Sequence, residues 1–287
     1  MKRLAVIFVL LLFGYFIVKT LSSSFFFLKK DRINLVVYGQ NTAIYSLGLS
    51  DNTNYFIPFD ADTRVIVPGG YGEYRVGAVG KLASLDTKPA LLKQAFSLST
   101  GSFVDIYFYP KTSEIYYHTP QKPFFAPSLP ELLLFKSNAN LFERLYVSYL
   151  LTTRSRNQFK TLRFISSDSF YKDYQGNFYS PVYRSENLNL QIIYTKSYST
   201  AVLLSRILEG EGIHVVDISS APEASKANLN LSSACEVEDN LPNKFSETAK
   251  AVARFYGCRL KHGNSMAYDI LISLGEVEGI WNTEVKH

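Results

Sequence analysis

Leu190-Gln191-Ile192-Ile193-Tyr194-Thr195 opens the part of the chain that decides the fold class. Residues 190–194 read as a strand, being rich in β-branched and aromatic side chains. Residues 199–211 follow with helical spacing through Ala201, Leu204, Ile207 and Leu208, and residues 213–218 alternate as a second strand. A third strand is read at 229–237. Residues 245–256 then repeat Ala249, Val252, Ala253 and Tyr256 on one helical face, Gly257 can terminate that helix, and 268–274 is a final strand ending at Gly275. The order βαββαβ predicts a four-stranded sheet with both helices on one side, a split βαβ unit of ferredoxin-like type.

Upstream of this unit, 168–187 is polar, aromatic and turn-rich without a clear period, and a domain boundary is placed there. Residues 141–153 have helical spacing on two sides, Leu141, Leu145, Ser148 and Thr152 on one and Phe142, Tyr146, Tyr149 and Leu150 on the other, which suggests a buried helix. The Pro- and Phe-rich stretch 117–130 reads as a surface loop or a lid. Strands are read at 33–38, 43–49, 54–59 and 104–109, and 65–72 reads as a strand breaking into a glycine loop followed by a strand-like 73–79. Residues 89–96 read as a helix, with Pro89 suited to its first turn. The expected fold class is therefore α/β (α+β), with a mixed-sheet domain over 31–180 and a second domain over 188–287.

Composition sets the class. The chain has 287 residues, 47% hydrophobic and 19% charged, enough apolar material for one large or two small cores and too much for disorder. Lys plus Arg outnumber Asp plus Glu by 30 to 25, too mild and scattered an excess for a nucleic-acid groove, so nucleic acid is not expected as a partner. With 20 Tyr and 21 Phe against one Trp, the strands are expected to carry Tyr and Phe on their buried faces.

Met1-Lys2-Arg3 precedes an apolar run over 4–18, then Lys19, then a second apolar patch ending in Phe25-Phe26-Phe27-Leu28 before Lys29-Lys30-Asp31-Arg32. As a helix, 4–28 would rise about 37 Å, enough to cross a hydrocarbon core of roughly 30 Å with tilt. The expectation is a membrane anchor over 1–30 on a single-pass cell-membrane protein with its body extracytoplasmic. A cleaved signal peptide, with Ser22 and Ser24 near the cleavage point, and a buried soluble helix are the alternatives. Cys235 and Cys258 are the two cysteines, and an exported compartment would let them pair. The alternative is two buried free thiols. Four scattered histidines (His118, His214, His262, His287) show no zinc-ligand spacing.

The segments quoted from 190–195, the helix through Ala201 and Leu208, Gly210-Glu211-Gly212-Ile213-His214-Val215-Val216, and Asp269-Ile270-Leu271-Ile272-Ser273-Leu274-Gly275 together resemble the LytR C-terminal domain over about 95 residues. Ile33-Asn34-Leu35-Val36-Val37-Tyr38-Gly39, Ile57-Pro58-Phe59-Asp60-Ala61-Asp62-Thr63-Arg64-Val65, the glycine-tyrosine stretch 68–79 and Thr100-Gly101-Ser102-Phe103-Val104-Asp105-Ile106-Tyr107-Phe108 resemble a shortened LytR-CpsA-Psr domain. The resemblance implies a cell-envelope protein that handles cell-wall glycopolymer, peptidoglycan or a polyprenyl-linked lipid. It also implies Mg²⁺ and arginines to neutralise a pyrophosphate if the family's phosphotransferase activity is present. The motif positions are altered: Gln40-Asn41-Thr42 stands where the family carries arginine, serine, aspartate and threonine, and Phe59 or Ala61 where it carries arginine.

The remaining candidates follow from residue type. Asp60 and Asp62, two apart on an extended segment, would share a face with Arg64 and could hold Mg²⁺ beside a phosphate, with Arg75 reaching an anionic headgroup; the plain alternative is a solvated strand end making a turn. Arg154, Arg156, Lys160 and Arg163 form the densest cationic cluster and are the expected ligand-binding residues for anionic polymer or lipid phosphate, with a solvated helix end as the alternative. Asp105, inside an apolar strand, reads as a structural hydrogen-bond acceptor. The leading expectation is a non-catalytic binding or scaffolding module with no cofactor; the alternative is a Mg²⁺-dependent transferase using Asp60, Asp62, Arg64 and Arg75.

Overall fold

Three apolar runs joined by short turns pair as an antiparallel meander. Strands β1 (Arg32–Val37), β2 (Ala43–Gly48) and β3 (Asn54–Pro58) set Val36 opposite Ile44 and Tyr45 opposite Phe56. The computed structural model describes residues 12, 14–16, 18–20, 30–112, 114–119, 123–221, 234–242, 244–264 and 267–284. Two short strands, β4 (Arg64–Val67) and β5 (Gly72–Arg75), make a separate hairpin. Strand β6 (Ile106–Tyr109) joins parallel to β1, β7 (Lys136–Ser137) lies beyond it, and β8 (Phe159–Thr161) joins parallel to β3, giving the order β7-β6-β1-β2-β3-β8.

Every residue of β1, β2, β3 and β6 is buried, so this sheet is covered on both faces. Ile33, Leu35 and Val37 share a core with Leu132 and Val147, which belong to α3 (Leu129–Leu134) and α4 (Leu141–Thr153). Val36 and Tyr38 share another with Val79 and Phe96, which belong to α1 (Val76–Leu85) and α2 (Ala90–Thr100). The strand read at 73–79 is corrected by α1: β5 stops at Arg75, and Gly77 and Gly80 then let the helix lie flat, a Cβ on Gly80 colliding with the Tyr38 ring. Helix α4 has the expected bounds but one exposed stripe, Leu141, Leu145 and Tyr149, so it is a surface helix and not a buried one. The polar stretch before the second sheet holds α5 (Ser167–Tyr174) and α6 (Pro181–Glu186).

The second sheet comprises β9 (Asn189–Tyr194), β10 (His214–Ser220), β11 (Glu236–Asp239), β12 (Arg259–His262) and β13 (Ile270–Ser273) in the order β10-β9-β13-β11-β12. Leu190, Ile192, Val237, Ile270 and Ile272 alternate onto one face and pack with Ala201, Leu204 and Leu208 of α7 (Tyr198–Gly210) and with Ala249 and Val252 of α8 (Glu247–Tyr256). Each such buried aliphatic is worth roughly 1.5–3 kcal/mol of transfer free energy. The split, ferredoxin-like arrangement is corrected. Strand β10 lies directly beside β9 and parallel to it, β12 directly beside β11, and β13 joins the two pairs. The additional strand β12 is what changes the second half: Cys235 and Cys258, at the starts of β11 and β12, are disulfide-bonded with Cα atoms 4.6 Å apart, and the Arg259 N–H donates to the Cys235 carbonyl at 2.9 Å, which holds β12 directly beside β11. Strand β12, Arg-Leu-Lys-His, is too short and polar to read as a strand from its sequence. A short helix, α9 (Val277–Trp281), follows β13.

The two sheets meet through side chains of both: Leu98 and Phe103 belong to the same core as Leu204, Ile207 and Phe255. Gly101, in the left-handed conformation that ends α2, abuts Gly210, where a Cβ would fall on the Gly101 carbonyl oxygen.

The single-pass membrane assignment is corrected. Among the described residues no helix is long and apolar enough to cross a membrane. Of the apolar segment only Leu12, Gly14–Phe16 and Val18–Thr20 are described, as helix, and the rest of the expected anchor lies outside the described residues. The basic flank is also reassigned, since Arg32 is 7% exposed and donates to the Ser46 hydroxyl and the Thr53 carbonyl, both at 3.0 Å, while pairing with Asp51. Asp31 likewise accepts from the Ser180 hydroxyl and the Val182 N–H at 2.9 Å. These residues hold the body together.

Candidate functional site

The β4–β5 hairpin carries two of the expected residues, Arg64 and Arg75, and the turn before it carries Asp60 and Asp62. The hairpin's alternation buries Val65 and Val67 and leaves Arg64, Glu73 and Arg75 exposed, with Ile66 partly buried against the second-sheet core and Arg64 directly across from Arg75. Asp60 and Asp62 are not on an extended strand as expected. The Thr63 N–H donates to the Asp60 carbonyl at 3.1 Å, closing a turn that separates the two carboxylates' directions from the strand repeat. Asp62 is occupied by Arg75 at 3.4 Å, by the His118 ring nitrogen at 3.1 Å and by the His118 backbone N–H at 3.1 Å. Arg64 points to Glu73 at 3.4 Å instead.

Mg²⁺ chemistry asks for one or two carboxylates free to ligate in near-octahedral geometry. Asp62 is already engaged by Arg75 and by the His118 ring and backbone N–H, and among the described residues no three His, Cys, Asp or Glu side chains converge. Asn41 has a buried Oδ1 with no hydrogen-bond partner, a single amide oxygen. The residues present do not fit the ion.

Arg64 lines a cavity of about 280 Å³ with Glu73, Gly101, Ile165, Ser166, Ser167, Asp168, Tyr171 and Arg206 among its walls. Ser166 caps α5, its hydroxyl accepting the Ser169 N–H. Arg206 of α7 donates to Asp168 at 2.8 Å and lies over the Tyr171 ring, whose hydroxyl donates to Glu209 at 2.9 Å. Burial of that phenol, reinforced by Glu209, pushes its pKa far above the usual tyrosine value. The walls therefore combine two arginines, two carboxylates, two serine hydroxyls and an aromatic face.

The cationic cluster splits. Arg154 serves the fold: one guanidinium nitrogen donates to the Asn54 side-chain oxygen and another to the Gly48 carbonyl at 2.8 Å, and burial lowers its pKa from the usual arginine value. Arg156 on a one-turn 3₁₀ helix (Arg156–Gln158), Lys160 on edge strand β8, and Arg163 are exposed. Lys160 and Arg163 run directly into Ile165-Ser166-Ser167, the cavity's own wall. Asp105 is a structural acceptor as expected, taking the Asn34 N–H at 3.1 Å and pairing with Lys30. Arg206 and the serines of α5 escaped the sequence reading because their stretch shows no spacing that ties them to Arg64, which is more than 100 residues away in the chain.

No family model and no curated protein matches the chain. Among solved structures it is similar to the transcriptional regulator yvhJ from Bacillus subtilis at 12% identity, covering 47% of this chain and 83% of that one with a TM-score of 0.31. It is also similar to B. subtilis TagT at 12% identity, covering 47% and 78% with a TM-score of 0.32, and to B. subtilis TagU at 9% identity, covering 70% and 94% with a TM-score of 0.26. No residue role is transferred at these scores.

Proposed function

We propose that the protein is a non-catalytic binding module for an anionic glycopolymer of the bacterial cell envelope, taken up at the cavity between the β4–β5 hairpin, α5 and α7. The carrying observation is the path of the segment 160–167, which leads from the exposed Lys160 and Arg163 into a cavity walled by Arg64, Arg206, Ser166, Ser167 and Tyr171. Anionic groups along a polymer would meet the exposed cations, and sugar hydroxyls, which both donate and accept, would meet serine hydroxyls and paired arginine–carboxylate groups. The altered family positions and the occupied Asp62 favour binding over phosphoryl transfer. The resemblance to the LytR-CpsA-Psr group supports the envelope ligand, and the disulfide supports an oxidising compartment.

The test is retention of the full chain on purified wall sacculi with and without attached anionic polymer, at low and high salt. Retention that requires the polymer, falls with salt and drops roughly tenfold or more in an Arg64→Ser, Arg206→Ser double variant is expected. Equal retention on sacculi stripped of the polymer would sink the reading.

A further inference from the structure

A second cavity, of about 220 Å³, lies where the two sheets meet and is lined by Lys30, Lys93, Phe103, Asp105, Asn138, Glu143, Tyr183, Ala251, Arg254 and Phe255. It draws on α2, the loop into β6, α4, α6 and α8, so no one stretch of sequence announces it. Its charges are unevenly satisfied. Asp105 is paired with Lys30 and bonded to the Asn34 N–H, and Glu143 accepts the Asn140 N–H at 2.9 Å in a capping box. Asn138 is spent on both sides, donating to the Asp105 carbonyl at 2.8 Å and accepting the Tyr107 N–H at 3.0 Å.

Three donors on the lining are not spent. Lys93 lies over the Phe255 ring at 4.3 Å, and its ammonium is 3.5 Å from the Phe255 carbonyl, too long for a strong hydrogen bond. Burial lowers its pKa to about 8, with Asp105 opposing the fall and Lys30 adding to it, and Asp105 is itself already paired with Lys30. Arg254, at the exposed rim, and the hydroxyl of buried Tyr183 make no ion pair or side-chain hydrogen bond among the described residues. The stacked rings of Phe103 and Phe255, 4.1 Å apart, form an apolar wall beside them.

We propose that this junction cavity binds a small phosphate-type dianion, held by Lys93, Arg254 and the Tyr183 hydroxyl. A tetrahedral oxyanion offers acceptors to all three donors at once, and arginine and lysine are the side chains that recognise it by charge-assisted hydrogen bonds. The volume, below the roughly 300–1,000 Å³ of drug-sized pockets, fits an ion or a small phosphomonoester. The site shares no residue with the cavity at Arg64 and does not rest on the function proposed there.

The test titrates inorganic phosphate into the full chain by calorimetry at constant ionic strength, with chloride as the control anion and glycerol 3-phosphate as a second arm. Saturable phosphate binding is expected, weakened roughly tenfold or more by Arg254→Ala, and also by Lys93→Met where circular dichroism shows that variant folded. Tighter binding of glycerol 3-phosphate would identify an organic phosphate as the source, and equal or tighter binding of inorganic phosphate the free ion. Because Arg254 is on the surface, its variant keeps the test decisive if Lys93→Met fails to fold. Absence of saturable binding, unchanged affinity in Arg254→Ala, or loss of affinity in Arg64→Ala instead would overturn the proposal.

Discussion

On the β4–β5 hairpin, Arg64, Arg75, Asp62 and Glu73 meet in water, the two arginine side chains 71% and 52% exposed. At the junction of the two sheets, Glu211 and Lys93 each feel the charge of Asp105 largely out of it, and Glu211 is buried with one backbone N–H, that of Phe103, donating to it at 2.6 Å. The hairpin is dense in charge along the sequence and the junction sparse, yet the electrostatic cost lies with the sparse region. A solvated ion pair exchanges one set of polar partners for another, whereas a desolvated group has lost its water whatever it gains. Charge density in sequence thus locates a surface, and isolated charges in apolar runs locate the groups on which stability and pH response depend.

The largest effect that could break this contrast is the pH dependence of stability. Burial raises the Glu211 carboxyl from 4.5 to about 8, opposed by the Phe103 N–H. The native chain then keeps a proton that the unfolded chain releases. The stability supplied by protonated Glu211 is complete below about pH 4.5 and is lost as pH rises through about 8. Lys93 runs the other way: its pKa falls from 10.5 to about 8, so the stability of its neutral form is complete above about 10.5 and is lost as pH falls through about 8. The sum is a stability minimum near pH 8. Urea unfolding should show stability falling from about pH 5 to 8 by an amount on the order of several kcal/mol, with Glu211→Gln flattening that limb. Parallel pH profiles for the two proteins would remove the distinction between the regions.

Next in size is the disulfide, which belongs to the second sheet alone. Replacing Cys235 and Cys258 by Ser opens a loop of about 24 residues and is expected to cost about 3 kcal/mol. Amide exchange should accelerate in β11 and β12 while β1–β3, buried on both faces, keep their protection. Equal acceleration in both sheets would mean that the junction transmits the loss and that the two regions unfold as one unit.

Sequence carried the first sheet well because β1, β2, β3 and β6 are continuous apolar runs, and carried α4 and α8 through their spacing. It missed α1 because Val76-Gly77-Ala78-Val79-Gly80 lacks a helical signature until Tyr38 and Tyr116 pack against its glycines. It missed β12 because four polar-leaning residues become a strand only through pairing with β11. The pairing of Asp62 with Arg75 and His118 depends on a turn and a distant loop. Lys93 stood in plain sight inside Leu91-Leu92-Lys93-Gln94-Ala95-Phe96, but its contact with Phe255 on α8 and the cavity it shares with α6 are set by tertiary packing.

Arg154 and Arg156 sharpen the contrast within a single cluster. Arg154→Ala strips donors from the Gly48 carbonyl and the Asn54 side chain, and is expected to cost about 2 kcal/mol, since part-buried acceptors are left unpaired. Arg156→Ala, on a solvated turn, should stay within about 0.5 kcal/mol. Similar losses at both positions in urea titrations would show that Arg154 is no more committed to the fold than its neighbour.

The smallest effect is expected on the hairpin itself. Asp62 accepts from Arg75 and His118 at the surface, where screening and side-chain entropy offset most of the attraction. A double-mutant cycle of Asp62→Asn and Arg75→Gln should give a coupling energy below about 1 kcal/mol, shrinking further in high salt. A coupling energy well above that, insensitive to salt, would mean that the turn at 60–63 is held by this pair as a buried network is held. The exposed and buried charges would then be acting by the same means, and the hairpin arginines would be structural supports instead of groups left free to exchange their carboxylate for a ligand.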